Sequence, residues 1–358
     1  MSRSHRLIAV GLAAALVAAC QGAVPGGGQT GGAASPPAGG SPAAASCTGD
    51  FAKPSQLRLG FQRIPNGDII VKQSGWLEQE LSGVSVKWLP FDSGGAVNRA
   101  ITANGVDIGL AGSSPVSRGV ATGIPYVVPW IFDVIGAAEA LAVKSSANIK
   151  APQDLVGKKI GVPFVSTTHY SLLNYLRQNG IQPSQVQLLN MEPKDAVAAW
   201  KTGQIDAAYI WEPALGEIVK DGGQVLVDSA KMAELGFPTF DLAVARKDFA
   251  NQYPCVMNIW AKVQHRAVTM IKSEPDKAAG LVGKEFDLQP AEAKRQMTGL
   301  RFLDATEQAS QQWLGGDLAK ALKQTAQYLV DQKEIPKLPD DAAFQGAVVK
   351  TYAEAATK

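Results

Sequence analysis

The chain has 358 residues, enough to bury two sizeable cores, and its 34 Lys and Arg against 32 Asp and Glu leave a formal net charge of +2. The basic residues form no run or stripe, which argues against a nucleic-acid partner. Aromatic residues make up only 7% of the chain, so those beside hydroxyl and acidic residues stand out.

The N-terminus reads as an export signal. Arg3, His5 and Arg6 precede an apolar run, Leu7 to Val17, too short to span a bilayer as a mature helix. The run ends in Val17-Ala18-Ala19-Cys20, which resembles a bacterial lipobox. That resemblance implies cleavage before Cys20 and lipid on its sulfur and new amino group; a cut by the ordinary signal peptidase is the alternative. Residues 21–46 contain only Gly, Ala, Pro, Ser, Gln, Thr and one Val, with no charge, and read as a flexible tether with a reach of about 25–30 Å. No later segment is apolar enough to be a transmembrane helix. With Cys20 lipidated, Cys47 and Cys255 remain as a pair in an oxidising compartment, either bonded or as two buried thiols.

From Leu57 the text alternates strand and helix. Leu57–Phe61 is a strand, Ile69–Leu81 is helical, Val84–Phe91 is a strand, and a helix over Ala96–Ala103 leads to the strand Asp107–Ala111. A helix to Ala121 and the strand Tyr126–Ile131 follow. This rhythm predicts a mainly parallel sheet with helices on both faces. Ligands of such sheets bind beyond the carboxyl ends of the strands, where Gln62, Asp92-Ser93-Gly94-Gly95 and Gly112-Ser113-Ser114-Pro115 fall.

The strand Ala140–Lys144 leads into a second unit of the same rhythm, with strands at Lys159–Val162, Val186–Leu189, Ala207–Ile210 and Val225–Val227. Leu242–Ala245 carries the chain back, and the remainder from Asp248 is helical. The expected fold class is α/β, two lobes joined by two crossing strands. The division is 1–20 signal, 21–50 tether, 51–144 with 243–358 the first lobe and its C-terminal helices, and 145–242 the second. In the second unit, Ser166, Thr167 and Thr168 stand where a strand gives way to a helix, the position of N-cap residues. Unpaired backbone N–H groups and hydroxyl donors gathered at a helix start attract an anion without a fixed cation.

Phe91-Asp92-Ser93-Gly94, Ala111-Gly112-Ser113-Ser114-Pro115, the run Val162–Tyr170, Trp211-Glu212-Pro213-Ala214-Leu215 and Pro238-Thr239-Phe240-Asp241 resemble the taurine-binding proteins of bacterial ABC importers. The wider group takes up aliphatic sulfonates and nitrate, and the likeness covers roughly residues 55 to 335. It implies a type II periplasmic-binding-protein fold, a cleft that closes on a small ligand, and delivery to an ATP-driven permease. The lipidated, tethered form departs from the soluble members, and the loop Arg63–Asp68 does not match them well.

Taurine joins a permanently ionised sulfonate to an ammonium by two methylenes. Removing the sulfonate from water requires several hydrogen bonds in compensation, for which Ser113 and Ser114 of one lobe and Thr167, Thr168 and the following amides of the other are the expected donors. The ammonium needs a carboxylate and an aromatic face: Asp241, Asp92 and Glu212 are the candidate acids, and Trp211 the candidate wall. His169 is expected to donate to the sulfonate or to orient its loop, since no nucleophile or acid stands with it as a catalytic set. No metal-ligand spacing or phosphate-binding loop occurs, so no cofactor is expected. The expected partners are the small ligand, the ABC permease with its ATPase, and a membrane through the lipid, the protein itself being a monomer outside the cytoplasmic membrane. The alternatives left open are an alkanesulfonate or nitrate receptor, an enzyme on the same fold resembling pyrimidine-precursor synthases, and a sensory or scaffold protein.

Overall fold

The structure is a computed structural model that describes Cys47 and residues 49–358; the export signal, Cys20 and nearly all of the tether lie outside the described residues. Two sheets organise the described part. The first holds β1 (Gln56–Phe61), β2 (Ser85–Pro90), β3 (Ile108–Gly112), β4 (Tyr126–Ile135), β10 (Phe240–Arg246) and β11 (Leu300–Arg301), in the order β11-β4-β10-β3-β1-β2. Its β2, β1 and β3 run parallel, whereas β10 is antiparallel to both neighbours. The second sheet holds β5 (Glu139–Lys144), β6 (Lys159–Val162), β7 (Gln187–Asn190), β8 (Ala207–Trp211) and β9 (Gly223–Asp228), in the order β7-β6-β8-β5-β9.

Strands covered by helices on both faces read as unbroken apolar text, and β3 and β8 are buried at every position. The long helix Pro254–Ser273 shows the other signature. Its Val256, Trp260, Val263 and Ala267 recur at helical spacing and are buried, with Trp260 meeting Trp130 and Phe132 edge to face. This helix belongs to the core of the first sheet, which also takes up the C-terminal helices.

Two details differ from the reading of the sequence. The predicted helix Ile69–Leu81 is two helices, Gly67–Ser74 and Trp76–Glu80, broken at Gly75, whose φ of 62° is left-handed and ends the first with a C-cap. The strand at 140–144, placed by the sequence with the first lobe, pairs in the second sheet with β8 and β9. Only residues 136–138 separate it from β4. Both strands are buried along nearly their whole length, so the text carries no mark of which sheet each one joins. The lobes are therefore connected by residues 136–138 outward and by the segment between β9 and β10 on return.

Cys47 is disulfide-bonded to Cys255 across 208 positions, and Asn258 Nδ2 donates to Cys47 Sγ at 3.3 Å. The start of the folded body is thereby pinned to the helix Pro254–Ser273. Among the described residues no helix is long and apolar enough to cross a membrane.

Candidate functional site

Two helix N-termini meet between the sheets. The helix Ser113–Ala121 opens where β3 ends at Gly112, and the helix Thr167–Gln178 opens after β6, capped by Ser166, whose Oγ accepts from His169 N at 3.0 Å. The contact is direct: a Cβ built on Gly112 would lie 2.7 Å from Thr167 Cγ2. Beside it is a small cavity, lined from the first sheet by Gln62, Gly94, Pro115 and Asp241 and from the second by Glu139, Ser166, Thr167 and Trp211. The unpaired N–H groups of the first turn and the dipole of each helix give this end of the cleft positive character.

The other end is acidic. Glu139, the first residue of β5, is buried, accepting from Thr167 Oγ1 at 2.5 Å and from Ser229 Oγ at 3.3 Å. Burial and then the neighbouring Asp241 push its carboxyl up to about 8. Asp241 on β10 lies directly opposite Asp133 on β4 in the antiparallel register, and both are buried. Burial raises each of them, and for Asp133 the charge of Asp241 adds to the rise. Asn66, the N-cap of the helix Gly67–Ser74, donates Nδ2 to Asp133 Oδ2 at 3.3 Å. None of the ion pairs among the described residues involves these three carboxylates.

The residues singled out from sequence divide into four groups. Gln62, Thr167, Trp211 and Asp241 line the cavity, with Gln62 Nε2 held on the Leu110 carbonyl at 2.9 Å. Ser113 and Ser114 begin the helix between two lining residues, Gly112 and Pro115. Ser113 Oγ accepts from Phe240 N at 3.2 Å, while Ser114 Oγ is buried without a partner.

Thr168 and His169 do not line the cavity. Thr168 is fully buried against Ser166 Oγ at 2.7 Å. His169 stacks on Phe164 with ring centroids 4.6 Å apart, and its Nδ1 accepts from Val165 N at 3.3 Å. Val165 has a φ of 61°, a strained value for a β-branched residue, so His169 holds the turn ahead of the helix. Burial pushes the imidazole down to about 4, which keeps it neutral.

Asp92 does not line this cavity, and Glu212 lines a second small pocket with Glu139, Trp211 and Asp241. Asp92 is exposed, and the N-cap position of the adjoining helix is Ser93, whose side chain makes no capping bond. Glu212 is buried, but Oε1 accepts from Arg295 Nη2 and Oε2 from Gly216 N, both at 2.8 Å, which uses its charge within the protein. The acids that do face one another, Asp133 and Glu139, were passed over in the sequence. Each interrupts an apolar run, Phe132-Asp133-Val134 and Ala138-Glu139-Ala140, and an acid inside a buried strand is an expensive residue that needs a reason.

The lobes also touch across the mouth of the cleft, where Ser93 Oγ donates to Glu192 Oε1 at 3.2 Å, and farther out, where Tyr170 meets Tyr328 edge to face. Two α/β lobes closed over a small polar cavity define a substrate-binding protein of the type II periplasmic fold. The chain belongs to the NMT1/THI5-like family, whose model matches residues 66–278. It is 39% identical over 270 residues to the taurine-binding periplasmic protein of Escherichia coli (strain K12), covering 73% of this chain and 82% of that one. It is 29% identical over 300 residues to a putative aliphatic sulfonates-binding protein of Bacillus subtilis (strain 168), covering 83% and 87%. The fold is similar to that of the alkanesulfonate-binding protein SsuA from Xanthomonas axonopodis pv. citri bound to MOPS, with a TM-score of 0.70 at 23% identity over 84% of this chain and 99% of that one.

Proposed function

We propose that this protein binds taurine, or a close aminosulfonate, between its lobes and delivers it to the permease of an ABC importer. The reading rests chiefly on one observation: a single small cavity is bounded by two facing helix N-termini and by buried carboxylates that have no cationic partner among the described residues. The sulfonate would take the helix end, with backbone N–H groups of both first turns and the Ser114 hydroxyl as donors. The ammonium would take the acidic end, on Asp241 and Glu139, with the Trp211 ring beside it. Because donors come from both lobes, the ligand would hold the closed state. The N-terminal text supports attachment by lipid on Cys20 and a tethered body outside the cytoplasmic membrane, binding rather than turning over its ligand.

Calorimetry with taurine and with ethanesulfonate, its counterpart lacking the amine, tests the assignment. Without the ammonium the acids are left unpaired, so ethanesulfonate should bind more weakly by about 1–3 kcal/mol, roughly 5- to 150-fold. Equal affinities would remove the amine subsite and select the alkanesulfonate-receptor reading, which the likeness to the aliphatic sulfonates-binding protein supports.

A further inference from the structure

Asp133 lies directly behind Asp241 and outside the set of cavity-lining residues. We infer that Asp133 is a positioning residue that holds Asp241 in a pair carrying one shared proton, and that an ammonium-bearing ligand enters the cleft by displacing that proton to solvent. This rests on the amine subsite assigned above.

Hydrogen bonding places the proton. As two ionised carboxylates the pair leaves Asp133 Oδ1 buried with no donor. Its other oxygen already accepts from Asn66 Nδ2 at 3.3 Å. Asn66 cannot turn its amide over without loss, because its Oδ1 accepts from Asp68 N at 3.1 Å as the N-cap of the helix Gly67–Ser74. A single proton on Asp133 Oδ1, donated to Asp241, supplies the missing bond and removes one of two buried like charges.

The surroundings offer no other remedy. Asp133 is faced by Asp241 from β10, by Asn66 from the helix cap and by Glu139 from the start of β5. Glu139 in turn is faced by Thr167, by Ser229 and by Asp241. Every charged group in this set is an acid. Burial raises all three carboxyls; the charge of Asp241 adds to the rise at Asp133 and Glu139, while the hydrogen bond with Asp133 lowers Asp241. A ligand ammonium beside Asp241 reverses the balance, favouring the ionised pair, and the proton passes to the buffer. A ligand without a cation leaves it in place. The cleft would thus select for positive charge through its own protonation.

The test is calorimetry of the wild-type protein with taurine at pH 6, 7 and 8, each in buffers of low and high ionisation enthalpy. The expected result is release approaching one proton per taurine at the lower pH, with affinity tightening towards tenfold per pH unit where release is complete. Taurine bound with pH-independent affinity and no proton release overturns the inference and leaves the proposed function standing. Failure of taurine to bind at any pH overturns both. Asp133→Asn, which can still accept from Asn66 and donate to Asp241, should bind taurine with release at pH 7 reduced and the pH dependence moved to lower pH. Uniform weakening of that variant with proton release unchanged would assign Asp133 a purely structural part and overturn the inference. Should the variant fail to fold, Glu139→Gln, which removes the other raised carboxyl of the subsite, decides: release that persists in it assigns the proton to the aspartate pair, and release that is lost assigns it to Glu139 and overturns the inference.

Discussion

Gly112 and Thr167 meet so closely that a single methyl on the glycine would fall 2.7 Å from the threonine methyl, under any normal contact. One residue ends β3 of the first sheet, and the other opens the helix that follows β6 of the second. Their contact is where two helix starts are brought together beside the cavity.

Gly112→Ala should therefore prop the cleft without disturbing either lobe's core. The expected effect is a loss of ligand affinity of about tenfold or more, ~1.4 kcal/mol, with little change in melting temperature. Thr167→Ser keeps the hydroxyl on Glu139 and removes the offending methyl, so Gly112→Ala with Thr167→Ser should recover most of the loss. Titration of taurine into the three variants reads both effects. Undiminished affinity in Gly112→Ala would mean that ligand binding does not need this contact.

Glu212 and Arg295 form an ion pair between the end of β8 and the helix Pro290–Met297, with the acid buried and the guanidinium half exposed. Removing the cation strands a buried carboxylate, so Arg295→Met should lower stability by about 1–3 kcal/mol in denaturant titrations. Glu212→Gln keeps an acceptor for Gly216 N and should leave taurine affinity within roughly twofold. A large, taurine-selective loss in Glu212→Gln would return this acid to the amine subsite.

Asp68 is a buried acid away from the cavity, with Oδ1 accepting from Gln264 Nε2 at 2.7 Å. Burial pushes its carboxyl up to about 7, against an unfolded value of about 3.9. Between those values the folded chain holds a proton that the unfolded chain has lost, so stability from this group is greatest at low pH and falls as pH rises through the window. Asp68→Asn removes that fall. Thermal or urea midpoints at pH 5 and pH 8 should show the variant gaining on wild type at pH 8 and not at pH 5. A parallel offset at both values would mean that Asp68 does not titrate in this range.

Much of this molecule was legible as text. Strands buried on both faces are continuous apolar runs, and helix starts carry their caps, so the alternation of elements and the positions of Ser113, Thr167 and Gln62 beyond strand ends follow from residue order alone. Asp241 could be named because it closes the run Pro238-Thr239-Phe240-Asp241 and stands next to the expected strand Leu242–Ala245. Local rules stop short of contacts: Asp92 stands before a helix and so does Glu212, but neither position says which way a side chain will turn or what it will meet.

Hydropathy and capping are properties of neighbours in sequence, and they determined the class of fold and the two anion-attracting helix ends. Which acids converge was decided only by packing. Asp133, Glu139 and Asp241 come from three strands in two sheets, separated by up to about a hundred residues, and their mutual repulsion exists only once β4 and β10 pair in one register and the lobes close. Charge interactions fall off with distance in space and take no account of distance along the chain, which is why the acidic half of the cleft appeared only in three dimensions.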